Sequence, residues 1–208
     1  EQTEGLGLDD NSDGRMAYET GFMVGINNSV SDNVRGATPG LTDSDFQAQV
    51  TIQKNDPGQW SDFDTYGTFS DATNPSPLNV DVNYRSMSWT PTPFSKFHIF
   101  EYTIHNTGGS ALNNLYAGIF SDWDIQTYAN NKSDEDVANK MGYVYCTDPG
   151  GYFAGIKLLT NGGFTHYAID NTSGGAGGIN MVDGMTDGEK YQALSTLRPT
   201  AGGAGTGN

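Results

Sequence analysis

Apolar and polar residues alternate one for one along several stretches of this chain, and that period of two constrains the fold more than any other feature. In "LNVDVNYRSMSW", Leu78, Val80, Val82 and Tyr84 alternate with Asn79, Asp81, Asn83 and Arg85. The phase then flips, because Met87 and Trp89 are odd-numbered, and a β-bulge or a strand passing from one sheet to another is expected there. "FSKFHIFEYTIHN" puts His98, Phe100, Tyr102 and Ile104 on one face, with Phe97, Ile99, Glu101, Thr103 and His105 on the other. "RMAYETGFMVGI", "FQAQVTIQK", "LYAGIFSDWD", "MGYVYC", "YFAGIKLL" and "GFTHYAID" read as further strands. The strands on either side of the turn-rich "NTGGSALNN" are expected to form a hairpin or an adjacent pair.

Helical signals are sparse. "SDEDVANKM" is expected to make two turns from an N-cap at Ser133, and "TDGEKYQALSTL" carries Thr186 and Glu189 at capping-box spacing. "GTFSDAT" around Ser70 reads as a turn. Eight or nine short strands with turn chemistry between them predict an all-β fold, an antiparallel β-sandwich of immunoglobulin-like or jelly-roll-like form with one or two short helices. The expected organisation is an acidic N-terminal arm over 1–14, the sandwich over 15–198 and a Gly-rich tail or linker over 199–208.

Charge narrows the partners. The 208 residues carry 25 acids against 10 bases, a formal net charge of -15. Phosphate backbones would be repelled, so nucleic acid is excluded as a partner. No apolar run reaches spanning length, so membrane insertion is not expected. Cys146 is the only cysteine, which rules out an intrachain disulfide, and its place at the end of an apolar strand predicts a buried, inert thiol. The start at "EQTEG", without Met, reads as a processed piece of something longer.

Two acidic stretches carry candidate chemistry. In "LDDNSDGR", Asp9, Asn11 and Asp13 stand at i, i+2 and i+4 before Gly14, as in the opening of a calcium loop, although the position of the bidentate Glu holds Thr20, with Glu19 one residue early. In "GIFSDWDIQTYANNKSDED", alternation puts Asp122 and Asp124 on one strand face, with Trp123 on the other. Asn130, Asn131, Asp134 and Asp136 follow within one loop's length, enough oxygen to complete a Ca²⁺ shell if the loop folds back. The same acids have a plainer reading, fanning out into water. Catalysis is the weaker reading, because glycosidase carboxylate pairs usually sit on different elements. His98 and His105 lie on opposite faces of one strand, and His98, on the apolar face, is expected in the core. Trp60, Trp89 and Trp123 suit either a carbohydrate or peptide groove or the core and rim of a sandwich.

The run "FHIFEYTIHNTGGSALNNLYAGIFSDWDI", continued by "NKMGYVY", "YFAGIKLL" and "DGEKYQAL", resembles an accessory β-rich domain of large secreted bacterial multidomain proteins. These proteins use type IX secretion and are often associated with subtilisin-like peptidases. The resemblance covers residues 15–197 and is clearest from Phe97 to Leu159. It implies an extracellular or cell-surface location and no catalytic role, since the Ser, His and Asp motifs of the peptidases are absent here. The expected function is a calcium-stabilised accessory or adhesive module that meets other domains or subunits of a secreted or surface assembly, and a glycan or protein ligand. A filament or surface-layer subunit and a glycan-active hydrolase using the carboxylate pair are the alternatives.

Overall fold

The computed structural model of the chain describes residues 16–174 and 177–197. The N-terminal Asp9–Asn11–Asp13 motif and the Gly-rich tail lie outside them. The fold is all-β, as the alternation predicts: three antiparallel sheets and, among the described residues, one α-helix. The strands are β1 (Ala17–Ile26), β2 (Ser29–Asp32), β3 (Gln47–Asn55), β4 (Phe63–Ser70), β5 (Val80–Ser88), β6 (His98–Asn106), β7 (Tyr116–Trp123), β8 (Asn131–Asp136), β9 (Met141–Cys146) and β10 (Phe153–Lys157). The helix is α1 (Asp187–Ser195).

The sequence shows no boundary inside 15–198, but the contacts divide there into two compact units. Ser44–Asn113 form one, and the described residues up to Asp43 and from Asn114 onward form the other. The inserted unit is a four-stranded meander in the order β3-β4-β5-β6. Buried Asp71 closes its 71–80 loop by accepting from the amides of Leu78 (2.6 Å) and Val80 (2.9 Å). Asp64 orders the 55–63 loop by accepting from the amides of Gln59 and Ser61.

The larger unit holds two sheets, β2-β1-β7 and β10-β9-β8. Asn27 and Asn28 both have positive φ, 50° and 66°, which gives the two-residue turn that matches strand twist and joins β1 to β2. Helix α1 packs on this first sheet. Leu194 joins Met23, Val30 and Val34 in a core cluster, with Phe120 and Tyr191 at its margin. A Cβ at Gly118 would lie 2.8 Å from Leu194 Cδ2, so a larger residue there would require the Leu194 side chain to shift. The capping box predicted from Thr186 and Glu189 is present. A second cluster, Ile125, Val144 and Cys146, packs with Trp123 and buries the thiol, as expected.

Six expectations need correction. First, "SDEDVANKM" starts in a strand rather than a helix, because β8 pairs with β9 from Asn131↔Cys146 to Asp136↔Met141. Its inward positions are polar, headed by buried Asn131, so the hydrophobic period does not reveal it. Second, β6 and β7 are not neighbours: β6 pairs with β5, and β7 pairs with β1. Third, the flip at Met87 is neither a bulge nor a change of sheet. β5 pairs without a register break on both sides, and its second half is half-covered on both faces, so neither face needs to be apolar. Fourth, "GFTHYAID" forms no named strand. Tyr167 and Ile169 instead pack on the cluster of Ile179, Met181 and Met185. Fifth, "GTFS" belongs to β4, and the turn begins only after Ser70. His98 is also exposed rather than in the core, its ring stacked 6.4 Å from Phe100.

Candidate functional site

Where β7 ends beside β1, the larger unit carries a cleft of about 350 Å³. Three rings line it, Tyr18, Trp123 and Tyr128, together with Arg35, Asp122, Asp124, Asn171 and Thr172. A bulge shapes its rim. Ala17 pairs with Trp123 and Glu19 with Asp122, which leaves Tyr18 as an extra residue on β1. A bulge re-aims the side chain it carries, and Tyr18 stands 57% exposed at the rim.

Pairing across β1 and β7 sets Glu19 opposite Asp122. Two carboxylates in that position repel one another unless a cation intervenes. Arg35 supplies it. Its Nη2 donates to Asp122 Oδ2 at 2.7 Å, and its Nε lies 3.6 Å from Glu19 Oε2. Arg35 Nη1 donates to Asn171 Oδ1 at 3.2 Å, and Asn171 Nδ2 donates back to Asp122 at 3.0 and 3.1 Å. Both oxygens of Asp122 are therefore engaged by protein groups. Glu19 is buried, and neither of its oxygens accepts a hydrogen bond among the described residues. Asp124 lines the cleft, and its carboxylate has no hydrogen bond or ion pair among the described residues.

The proposed calcium shell is not assembled. Asn131 is buried and acts as a backbone clamp: its Oδ1 accepts from the Ile125 amide at 2.8 Å and its Nδ2 donates to the Ile125 carbonyl at 2.7 Å. Asp134 accepts from the Tyr143 hydroxyl, and Asp136 accepts twice from Asn139. Asn130 donates to Asp148. Among the described residues, no set of three acidic, histidine or cysteine side chains close enough to share an ion includes Asp122, Asp124, Asp134 or Asp136. Asp9, Asn11 and Asp13, the other residues of the calcium expectation, lie outside the described residues.

A second charged group lies in the same unit. Lys190 of α1 is fully buried, and its Nζ donates to both oxygens of Asp32 at 2.8 Å and to Asp43 at 2.5 Å. It fixes the helix to the end of β2 and holds a charge that has no access to water.

Sequence reasoning finds Asp122, Trp123 and Asp124 but misses Glu19, Arg35, Asn171 and Tyr18 as site residues. The signal available for Arg35 is scarcity: with 10 bases among 25 acids, a base flanked by Val34 and Gly36 is a candidate internal counter-ion.

Burial raises the carboxyl pKa of Glu19, Asp122 and Asp124 above the usual range, Arg35 opposes this at the first two, and Asp122 adds to it at Asp124. Burial also pushes Asp32 up to about 6, against the pull of Lys190. A carboxyl with a raised folded pKa binds protons that the unfolded chain would release, so its contribution to stability grows as pH falls. For Asp32 the window runs from about 6 down to its ordinary 3.8. Asp62 and Asp136 act in the opposite sense: Thr90 and Asn139 bond their charged forms and lower their pKa values. That stabilisation is lost only at lower pH, as these groups protonate. The melting temperature of the larger unit should therefore rise by a few degrees between about pH 7.5 and 5, at roughly 2–4 °C per kcal/mol. It should fall again in stronger acid. Calorimetry across this range checks the sign, and a steady decline from neutrality would contradict it.

Comparison with protein-family models, with curated proteins and with solved structures finds no match to this chain.

Proposed function

We propose that the chain is a non-catalytic accessory or adhesive β module of a secreted or cell-surface bacterial protein, and that it engages its ligand through the cleft beside Tyr18 and Asp124. The observation that carries this reading is the state of Asp122. A general acid or nucleophile needs a carboxylate free to exchange a proton or attack. Asp122 is instead locked by Arg35 and Asn171, which serves architecture and recognition. Beside these three, the cleft is lined by three rings, Thr172 and Asp124, whose carboxylate has no partner among the described residues, the composition of a binding surface. The resemblance to accessory domains of exported bacterial proteins points the same way and supplies the location.

The filament alternative draws less support. β3 is exposed along its length as an edge strand, but its pairing with β4 is broken by two register shifts. Such irregularities blunt an edge against strand addition.

Antibodies against this chain should label intact producing cells or the culture medium, and the purified chain should leave polysaccharide and peptide substrates unchanged. Signal confined to the cell interior, or turnover abolished by Asp122→Asn, would overturn the reading.

A further inference from the structure

The cleft of the larger unit has an unbalanced charge. Asp122 and Asp124 line it, Glu19 adjoins Arg35, and Arg35 is the one base among these four residues. Among the described residues that line or adjoin the cleft, three acids against one base leave an excess of two negative charges. The guanidinium is already committed to Glu19 and Asp122, so it does not offset Asp124. A neutral ligand would leave that imbalance as it stands, and an anion would worsen it.

The walls favour one kind of charge. Aromatic faces attract cations through their quadrupoles, and a nearby carboxylate reinforces the attraction where water is partly excluded. Tyr128 is 64% exposed and Tyr18 57%, so both present ring surface to a ligand rather than to the core. Asp124 is half-buried, and burial and the neighbouring Asp122 both disfavour its charged form. A bound cation would relieve the second of these directly. The space also suits a side chain. At about 350 Å³ the cleft stands at the small end of ligand sites, large enough for a charged head with an aliphatic stem.

We propose that the cleft binds an organic cation, the ammonium or guanidinium of a lysine or arginine side chain on a protein partner, with Asp124 as its counter-ion and Tyr18, Trp123 and Tyr128 as the walls around its stem. Thr172, whose hydroxyl donates to Asp170, still offers an acceptor lone pair at the margin for the flanking peptide. The inference rests on the cleft being a binding site. It names the chemistry of the ligand, which the accessory-module reading leaves open.

The test is a fluorescence titration of the full chain at low salt, with a Gly-Arg-Gly peptide and with tetramethylammonium as probes. A neutral oligosaccharide and calcium chloride serve as comparison ligands. The Arg peptide should give a saturable change that weakens with added salt. Affinity should fall at least about tenfold in Asp124→Asn and severalfold in Tyr128→Ala, with circular dichroism showing both variants folded. Binding of the peptide with no response to tetramethylammonium assigns the site to side chains that also donate hydrogen bonds, and supports the proposal. No saturable response to either cation, equal affinity in Asp124→Asn, or a response only to the oligosaccharide would overturn it. A response to calcium alone would overturn it in favour of a metal. Loss of cation binding leaves the accessory-module reading standing, whereas turnover of a substrate would sink that reading and leave a measured cation affinity intact.

Discussion

Lys190→Met should be the most damaging single substitution in the larger unit, lowering its stability by about 3–5 kcal/mol and its melting temperature by about 10 °C. Methionine fills most of the volume of the lysine stem, so the loss would not come from a cavity. It would come from Asp32, which is fully buried and would lose the ammonium from which both its oxygens accept. Asp43, only partly exposed, would lose the same partner. Removing one member of a buried pair costs far more than removing both, because the orphaned charge carries the desolvation penalty. The double variant Asp32→Asn with Lys190→Met should therefore recover a substantial part of the loss. Equal or greater damage in the double variant would mean that Lys190 acts by packing alone.

The same logic separates what the sequence reveals from what it hides. The first half of β5 is legible because its apolar residues alternate, β6 and β9 because they are rich in aromatic and β-branched residues, and the start of α1 because Thr186 and Glu189 satisfy each other's backbone amides across one turn. These are local signals. Strand partnership is not local. Nothing in "NTGGSALNN" says that β7 leaves β6 behind and pairs with β1, about a hundred residues earlier in the chain. β8 is hidden for a different reason. Its buried position is Asn131, whose amide clamps the Ile125 backbone, and a polar residue in a core position carries no hydrophobic period. That role also explains why Asn131 resembles a metal ligand in sequence: an amide oxygen suited to a cation is equally suited to a buried N–H.

The candidate site divides in the same way. Asp122, Trp123 and Asp124 are visible as a cluster because they are contiguous. The groups that decide their chemistry are distant, with Arg35 separated from Asp122 by 87 residues and Asn171 by 49. Without them the acids look like a shell awaiting an ion. With them, Asp122 is neutralised from within, and Asp124 is the lining carboxylate without a partner among the described residues.

Arg35→Met tests that internal neutralisation. The substitution removes the cation held between Glu19 and Asp122 and leaves Asn171 as the partner of Asp122. The expected loss is about 2–3 kcal/mol, less than for Lys190 because the Arg35 and Asp122 side chains retain some solvent contact. The loss should also depend on pH in a specified direction. Glu19 and Asp122 have raised folded pKa values, so acidification protonates them and removes the repulsion that Arg35 otherwise relieves. The most direct measurement is the melting temperature of Arg35→Met beside that of the unaltered chain, at about pH 7.5 with and without chelator and again at about pH 5. The predicted result is a clear deficit at neutral pH, unchanged by chelator and smaller in acid. A variant that melts with the unaltered chain, or a deficit that appears only once metal is removed, would show that something other than this arginine balances the acids at the end of β7.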